Sequence, residues 1–293
     1  MNVLRLPLLA LACVSALGVT LDAQTLLVHY DLNEGSGTTA TDSTTGTASD
    51  GTLGGNATWS TNTPDGSGSS LSLTKNATDA NFVSAGSSEV NALTSFTITL
   101  WFNAQGTVTA GDRLLSTLSS GTFKGFDLNL QALTSTATNI SASGFRLGLL
   151  VDGTSGGSAL FSSAGTSVNA SNQWVFLAVS YDGTKTTDNV SFYTGTSGSA
   201  VTQLGVVGTL NMGAVDSTTG SLQIGNTTAT TGDRTPTGLF DDVRVYSGVA
   251  SSGFLNDVRL DNLSSVPEPS TCAAVAGALA LVATGILRRR KLA

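Results

Sequence analysis

Charge is the first thing this sequence lacks. Only 11% of its 293 residues are Asp, Glu, Lys or Arg, against roughly 25% in ordinary soluble proteins. The chain must therefore keep itself in water with Ser, Thr, Asn and Gly. Its net charge of −7 and pI near 4.5 argue against nucleic acid as a partner, since phosphate binding needs clustered Lys and Arg. Cysteine is nearly missing as well. Cys13 and Cys272 both lie in terminal apolar segments, so the body between them has no disulfide, no cysteine zinc site and no cysteine nucleophile. Glutamate occurs only as Glu34, Glu89 and Glu268, and histidine only as His29. Glycoside hydrolysis generally needs two carboxylates flanking the scissile bond, and no Glu-x-Asp-x-Glu strand is present to align them. Asp241 and Asp242 are adjacent and point to opposite faces of a regular strand. A Ser-His-Asp arrangement would have to use His29, whose strand setting gives it a structural role. No catalytic residue is assigned.

What is abundant points to β-structure. Ser and Asn compete for backbone hydrogen bonds, Thr is β-branched, and Gly costs entropy in a helix. Between Gln24 and Asn262 the apolar residues recur with period two in short runs separated by Gly, Asn, Asp, Ser and Thr. In 96–102, Phe96, Ile98, Leu100 and Phe102 share the core face, and Thr97, Thr99 and Trp101 share the other. The run 174–181 is apolar on both faces, as a central strand covered on each side would be. Further strands are predicted at 26–32, 71–73, 126–130, 145–151, 190–193, 222–225 and 239–246. The best helix candidate is 251–260. So many short strands predict two packed antiparallel sheets.

The two ends carry addresses. Arg5 precedes an apolar run from Leu6 to Val19, and the chain turns polar by Asp22. This predicts a secretory signal peptide over 1–23, cleaved after Ala23. At the other end Val266, Pro267, Glu268 and Pro269 precede an apolar run over 272–287, followed by Arg288, Arg289, Arg290 and Lys291. In motif, apolar segment and basic cluster this end resembles the PEP-CTERM sorting signal of Gram-negative bacteria. The resemblance implies export and processing at the motif by a membrane exosortase. A helix over 272–287 would span roughly 24 Å at about 1.5 Å per residue, slightly short of a ~30 Å hydrocarbon core. Its basic end would stay cytoplasmic by the positive-inside rule. The expected map is a signal peptide (1–23), one β domain (24–263), a linker with the motif (264–271), one transmembrane helix (272–287) and a basic cytoplasmic tail (288–293).

The body also resembles a family. The run from Leu27 to Gly37, with Asp42, Asp50, Gly51 and Thr52 downstream, is similar to the opening of laminin-G-like, concanavalin A-like jelly rolls. The ending from Gly238 to Tyr246 is similar to their closing strand, and 96–102 and 174–183 to two internal strands. Val175 stands where the family often has His. The resemblance implies an all-β jelly-roll sandwich whose first and last strands lie side by side, often with calcium between them. Glu34 and Asp241 are the leading ligands so implied and Asp42 a further one, the carbonyls around Gly35 and Gly37 adding hard oxygens. The same expectation follows locally if Leu239, Val243 and Val245 face inward, because Asp241 would then be buried beside them. The alternative is that Asp241 pairs with Arg244 or caps a turn.

Three functions remain open on these residues. One is a noncatalytic exported surface protein that meets carbohydrate or another surface component. Another is a polysaccharide-modifying enzyme, and the third a structural coat protein. Trp59, Trp101, Tyr193 and Tyr246 could offer stacking faces to sugar, or could simply pack.

Overall fold

The computed structural model describes residues 24–263 apart from 45–48, 56, 76–81, 107, 120–123, 134–138, 141–143, 164–165, 218–219 and 227–233. The expected signal peptide (1–23), linker and sorting motif (264–271), transmembrane helix (272–287) and basic tail (288–293) lie outside the described residues. Among those described, no helix is long and apolar enough to cross a membrane.

Two eight-stranded sheets face each other. The first runs Thr202–Gln203, Val190–Gly195, Val175–Asp182, Ser95–Ala104, Gly238–Ser247, Ser70–Leu73 and Thr58–Ser60, with Thr25–Tyr30 paired to the far half of Gly238–Ser247. The second runs Gly156–Phe161, Arg146–Gly153, Gly125–Gln131, Arg113–Ser116, Leu222–Ile224, Phe82–Ala85, Gly51–Gly54 and Thr39–Ala40. Neighbouring strands in both are antiparallel. Every strand predicted from the sequence is present. Short strands that the pattern did not reveal, such as Arg113–Ser116 and Gly156–Phe161, complete the sheets.

Period-two alternation explains the core. Phe96, Ile98, Leu100 and Phe102 from the first sheet meet Phe126, Leu128, Leu130, Leu147, Leu149 and Val151 from the second. Phe96 stacks on Phe126 with centroids 4.9 Å apart, and Phe102 meets Phe145 edge-on at 6.4 Å. At roughly 1.5–3 kcal/mol for each large side chain removed from water, this layer dominates stability.

The first sheet is buried on its outer face too. Trp101, Phe176, Ala178, Tyr193 and Tyr246 form a second cluster with Leu255 and Val258 of the helix Ser252–Leu263. The helix expected at 251–260 is present and runs three residues further. Ser251 caps its start by accepting the Phe254 N–H at 3.2 Å. Arg259 fixes it to the sheet by donating to the carbonyl of Thr196 at 2.6 Å. The central position expected of 174–181 is thus explained by a three-layer order of second sheet, first sheet and helix.

Candidate functional site

The last strand departs from regular geometry at the residues that matter most. Asp241 pairs with Trp101 and Arg244 with Thr99, with a bulge between them. Asp242 supplies it with a positive φ of 49°, one extra residue that resets the alternation. Phe240 faces the main core before the bulge, and Val243 and Val245 face it afterwards. Asp241 therefore does not share the side of Val243 and Val245, as regular alternation would require. It points to the outer face of the first sheet, beside Trp101. The two aspartates also fail to diverge: Asp242 meets His29 and Arg244, which project to that same outer face.

Asp242 is well supplied there. Its Oδ1 accepts from Arg244 Nε and lies against His29 Nε2, each at 2.8 Å. Arg244 also donates to Asp261 on the helix at 2.8 Å. Asp241 has no ion pair among the described residues and accepts from the Asp242 backbone, while Asp242 Oδ2 is, like Asp241 Oδ1, buried without a donor among them. Asp241 is 2% exposed. Burial pushes its pKa up to about 9, and the carboxylates of Asp242, Asp65 and Asp31 push the same way. Asp31 follows the first strand, while Asp65 belongs to the hairpin loop ahead of Ser70–Leu73. That loop reaches across the outer face, where Asn62 Oδ1 accepts from Trp174 Nε1 at 3.0 Å. It is locked to the first strand's exit as well, Ser69 N donating to Asn33 Oδ1 at 3.0 Å. Gly68 permits this closeness, since a Cβ there would lie 2.0 Å from Asn33 Oδ1.

The three predicted ligands are not gathered into one cluster. Among the described residues no three His, Cys, Asp or Glu side chains stand together as a metal-holding group. Asp42 is consumed by its turn, its Oδ1 accepting from His29 N at 3.0 Å and from the amide and hydroxyl of Thr44. Glu34 Oε1 accepts from Thr41 N at 2.6 Å, while its Oε2 is buried without a donor. The first and last strands do lie side by side. Asp241 is buried, with its Oδ1 lacking a donor among the described residues. The repulsion that Asp31 and Asp65 exert on Asp241 was not visible in the sequence, because it depends on a loop fold that no local pattern encodes.

A Ser-His-Asp line is present: Ser43 Oγ lies 2.8 Å from His29 Nδ1, and His29 Nε2 meets Asp242. Among the described residues, the backbone N–H groups beside Ser43 that could serve as oxyanion donors are already used. The N–H of Ser43 goes to His29 O and that of Thr44 to Asp42. The line ties the first strand to the last.

The outer face of the second sheet is organised differently. In Gly125–Gln131, Phe126, Leu128 and Leu130 point inward, so Asp127, Asn129 and Gln131 line the outer side. Gln131 Nε2 donates to Asn129 Oδ1 at 2.6 Å, and Asn129 Nδ2 to Asp127 Oδ1 at 2.9 Å. Asp127 is anchored by Arg113, whose Nε approaches Oδ2 to 2.6 Å out of line with the N–H, so charge holds the pair. Burial pushes Asp127 up to about 6, against the opposing pull of Arg113 and the hydrogen bond from Asn129. Across the strands, Asn129 faces Gly148 and Gly148 faces Phe161. A Cβ on Gly148 would sit 2.5 Å from Asn129 Oδ1 and 2.9 Å from Phe161, so only glycine lets the amide and the ring share this spot. Phe161 is 41% exposed, with the Arg146 guanidinium 5.5 Å from its centroid. Asp127 and Asn129 are buried, so what this face offers a ligand is the half-buried Gln131 amide at the end of the row, the Arg146 guanidinium and the apolar surface of exposed Phe161. The sequence signal was available in the alternation of Phe-Asp-Leu-Asn-Leu-Gln, although the row holds no paired glutamates.

Of the residues predicted as stacking candidates, Trp101, Tyr193 and Tyr246 are buried beneath the helix and loop. Trp59 is half-buried, its Nε1 donating to Gly37 O at 3.0 Å.

With this geometry in place, comparison with known proteins decides the family. Residues 65–253 match the model of the concanavalin A-like lectin/glucanases superfamily. The chain belongs to that superfamily. No curated protein matches it. Among solved structures it is similar to domain 4 of AbnA, a GH43 extracellular arabinanase from Geobacillus stearothermophilus in complex with arabinotriose. That match has 14% identity and a TM-score of 0.53, over 80% of this chain and 98% of that one. It is also similar to the binding domain of Paraclostridial Mosquitocidal Protein 1, at 10% identity and a TM-score of 0.53. The binding domain of Botulinum Neurotoxin DC in complex with SialylT follows at 12% and 0.51. The match covers 51% of each toxin binding domain, and 80% and 82% of this chain respectively. At such identities these likenesses establish the fold alone.

Proposed function

We propose that the protein is a noncatalytic, exported surface module that binds carbohydrate on the outer face of its second sheet. The carrying observation is the hydrogen-bonded row Asp127–Asn129–Gln131, pinned by Arg113 and flanked by Arg146 and exposed Phe161. The arabinanase domain and the neurotoxin binding domain with bound saccharides support carbohydrate as the ligand class. The same row argues against hydrolysis. Asp152 lies on this face one step diagonally from Asp127, but Asp127 is fully buried and ion-paired, so it cannot reach a glycosidic oxygen. A glycan array probed with the exported protein tests the reading. One glycan class should be retained, and Gln131→Ala with Arg146→Ala should weaken it at least tenfold with unchanged folding. Retention of no glycan would favour a structural coat protein, while release of reducing ends from polysaccharide would favour an enzyme.

A structural calcium ion belongs to the same proposal. The orphaned oxygen of Asp241 suits a hard cation; because no three acidic side chains stand together among the described residues, backbone carbonyls and water would have to supply the remaining ligands. The ion would take the place of the proton that burial otherwise keeps on Asp241. For the termini, we propose export through the 1–23 segment and exosortase processing at Val266–Pro267–Glu268–Pro269, with the 272–287 segment held in the membrane beforehand. Intact-mass analysis of surface protein should show Arg288 to Lys291 removed; mature protein retaining them would leave only a simple membrane anchor.

A further inference from the structure

Edge strands in natural sheets are guarded by charge, proline, bulges or a covering segment, because their free backbone groups otherwise recruit another strand. One edge here has none of these. Gly156–Phe161 ends the second sheet and is exposed along nearly its whole length. It contains no charged residue and no proline. Ser162 N donates to Leu147 O, and antiparallel strands alternate the direction of their backbone groups. Ser158 and Leu160 therefore point toward Arg146–Gly153, whereas Gly157, Ala159 and Phe161 point away from the sheet. Among the described residues none takes up the backbone groups of those three.

The neutrality extends well beyond the strand. No ionisable side chain of Asp, Glu, Lys, Arg or His occurs in 153–181 or in 189–215. These stretches supply the flank where the two sheets end together, including the loop in which Gly208 closes on Leu160 and Val206 N donates to Ser163 Oγ at 3.2 Å. Large apolar side chains stay exposed on it: Phe161 at 41%, Val206 at 75% and Val207 at 37%. On a chain of net charge −7, the edge strand itself is uncharged, and the charges beside it, Arg146 over Phe161 and Asp152 beside Gly157, are of opposite sign, so two copies can approach here with little repulsion.

We propose that the Gly156–Phe161 edge pairs antiparallel with the same edge of a second copy about a two-fold axis through Ala159. The register follows from the outward groups. Ala159 stands opposite its own counterpart, and Phe161 stands opposite Gly157 of the second copy, where the glycine leaves room for the ring. The isologous arrangement joins the two second sheets into one and removes the exposed edge. Because a single strand pair buries less than the ~1,200 Å² typical of stable complexes, the association is concentration-dependent.

Sedimentation of the full-length chain in detergent, and of the exported form, should show mass doubling as concentration rises. Ala159→Pro deletes an outward N–H without touching the pairing inside the sheet. Ala159→Lys places like charges face to face on the axis. Both variants should remain monomeric at concentrations where the natural chain is dimeric, with unchanged circular dichroism and melting. If Ala159→Pro disturbs the fold, the exposed Lys substitution still decides the matter. A natural chain that stays monomeric at every soluble concentration would overturn the proposal, as would dimers that persist in a folded Ala159→Lys variant.

Discussion

Two aspartates, each at a strand position facing out of the sandwich and each deeply buried, set its two outer faces apart. On the second sheet Asp127 has Arg113 at 2.6 Å and Asn129 at 2.9 Å, and burial raises it only to about 6. On the first sheet Asp241 has further carboxylates for company and rises to about 9. The same group in two settings shows what decides the cost of burying a charge: the nearest opposite charge matters more than depth. On the second sheet the cation sits on the buried acid itself, whereas on the first Arg244 is taken by Asp242 and Asp261, leaving Asp241 to hold a proton or bind a cation.

Substitutions of opposite sign break the comparison most sharply. Arg113→Met leaves Asp127 buried without its partner and should cost about 3–5 kcal/mol, read from denaturant unfolding at pH 7. Asp241→Asn removes an unpaired charge instead. In chelator at pH 8 it should stabilise by about 1–3 kcal/mol. Loss of stability in the second variant under those conditions would mean that Asp241 is ionised and well compensated within the chain.

The pH and metal response of the natural protein comes next in size. A carboxyl whose pKa is raised in the folded state binds its proton more tightly folded than unfolded, so stability falls as pH rises between the two values. In chelator the protein should therefore lose stability from about pH 4, the ordinary carboxylate value, towards about pH 9 for Asp241. Asp127 should add its share only up to about pH 6. Calcium competes with the proton, so its benefit should grow with pH and reach about 2.7 kcal/mol at 100 times its dissociation constant. An unchanged midpoint at pH 8, with no calcium found by elemental analysis, would remove the ion from the account.

How far these features can be read without coordinates follows from their range. Period-two alternation marked the strands and the inward faces, because burial on one side of a strand is a local signal. Trp101 was correctly placed opposite the core. Its own burial was not visible, since the helix Ser252–Leu263 that covers this face lies more than 150 residues later in the chain. Asp241 was found as an uncompensated acid through a premise that the bulge at Asp242 invalidates. The positive φ there has no sequence mark stronger than Asp itself. Arg113 and Asp127 lay in the open sequence, yet their pairing needs the register of two strands. The Asp-x-Asn-x-Gln row was legible in principle, being as periodic as the hydrophobic row that alternates with it.

A smaller effect probes how tightly the second face is built. Gly148→Ala would push a methyl group into Asn129 and Phe161. Overpacking of this kind costs about 1–3 kcal/mol. Because the clash displaces the amide in the middle of the row, glycan affinity should fall along with the melting temperature. A neutral Gly148→Ala variant would show that the row tolerates displacement and is not preorganised.

The smallest expected change in stability separates binding from architecture. Gln131 is half-buried at the accessible end of the row and Asp65 sits at the accessible rim of the carboxylate seam. Gln131→Ala leaves the buried Asn129 Oδ1 without its donor and Asp65→Asn weakens the acceptor of Ser67 and Thr63, so in chelator each should cost about 1 kcal/mol. Their functional consequences should cross over. Gln131→Ala removes a directed hydrogen bond to ligand and should cost about tenfold in glycan affinity, the equivalent of about 1.4 kcal/mol, while leaving the calcium response intact. Asp65→Asn should reduce the calcium-induced shift in melting and leave glycan affinity unaltered. Titration calorimetry with a glycan retained on the array, beside thermal unfolding with and without calcium, measures both. If Asp65→Asn weakened glycan binding as much as Gln131→Ala, the carboxylate seam itself would be the ligand site, and the assignment of the two faces would have to be reversed.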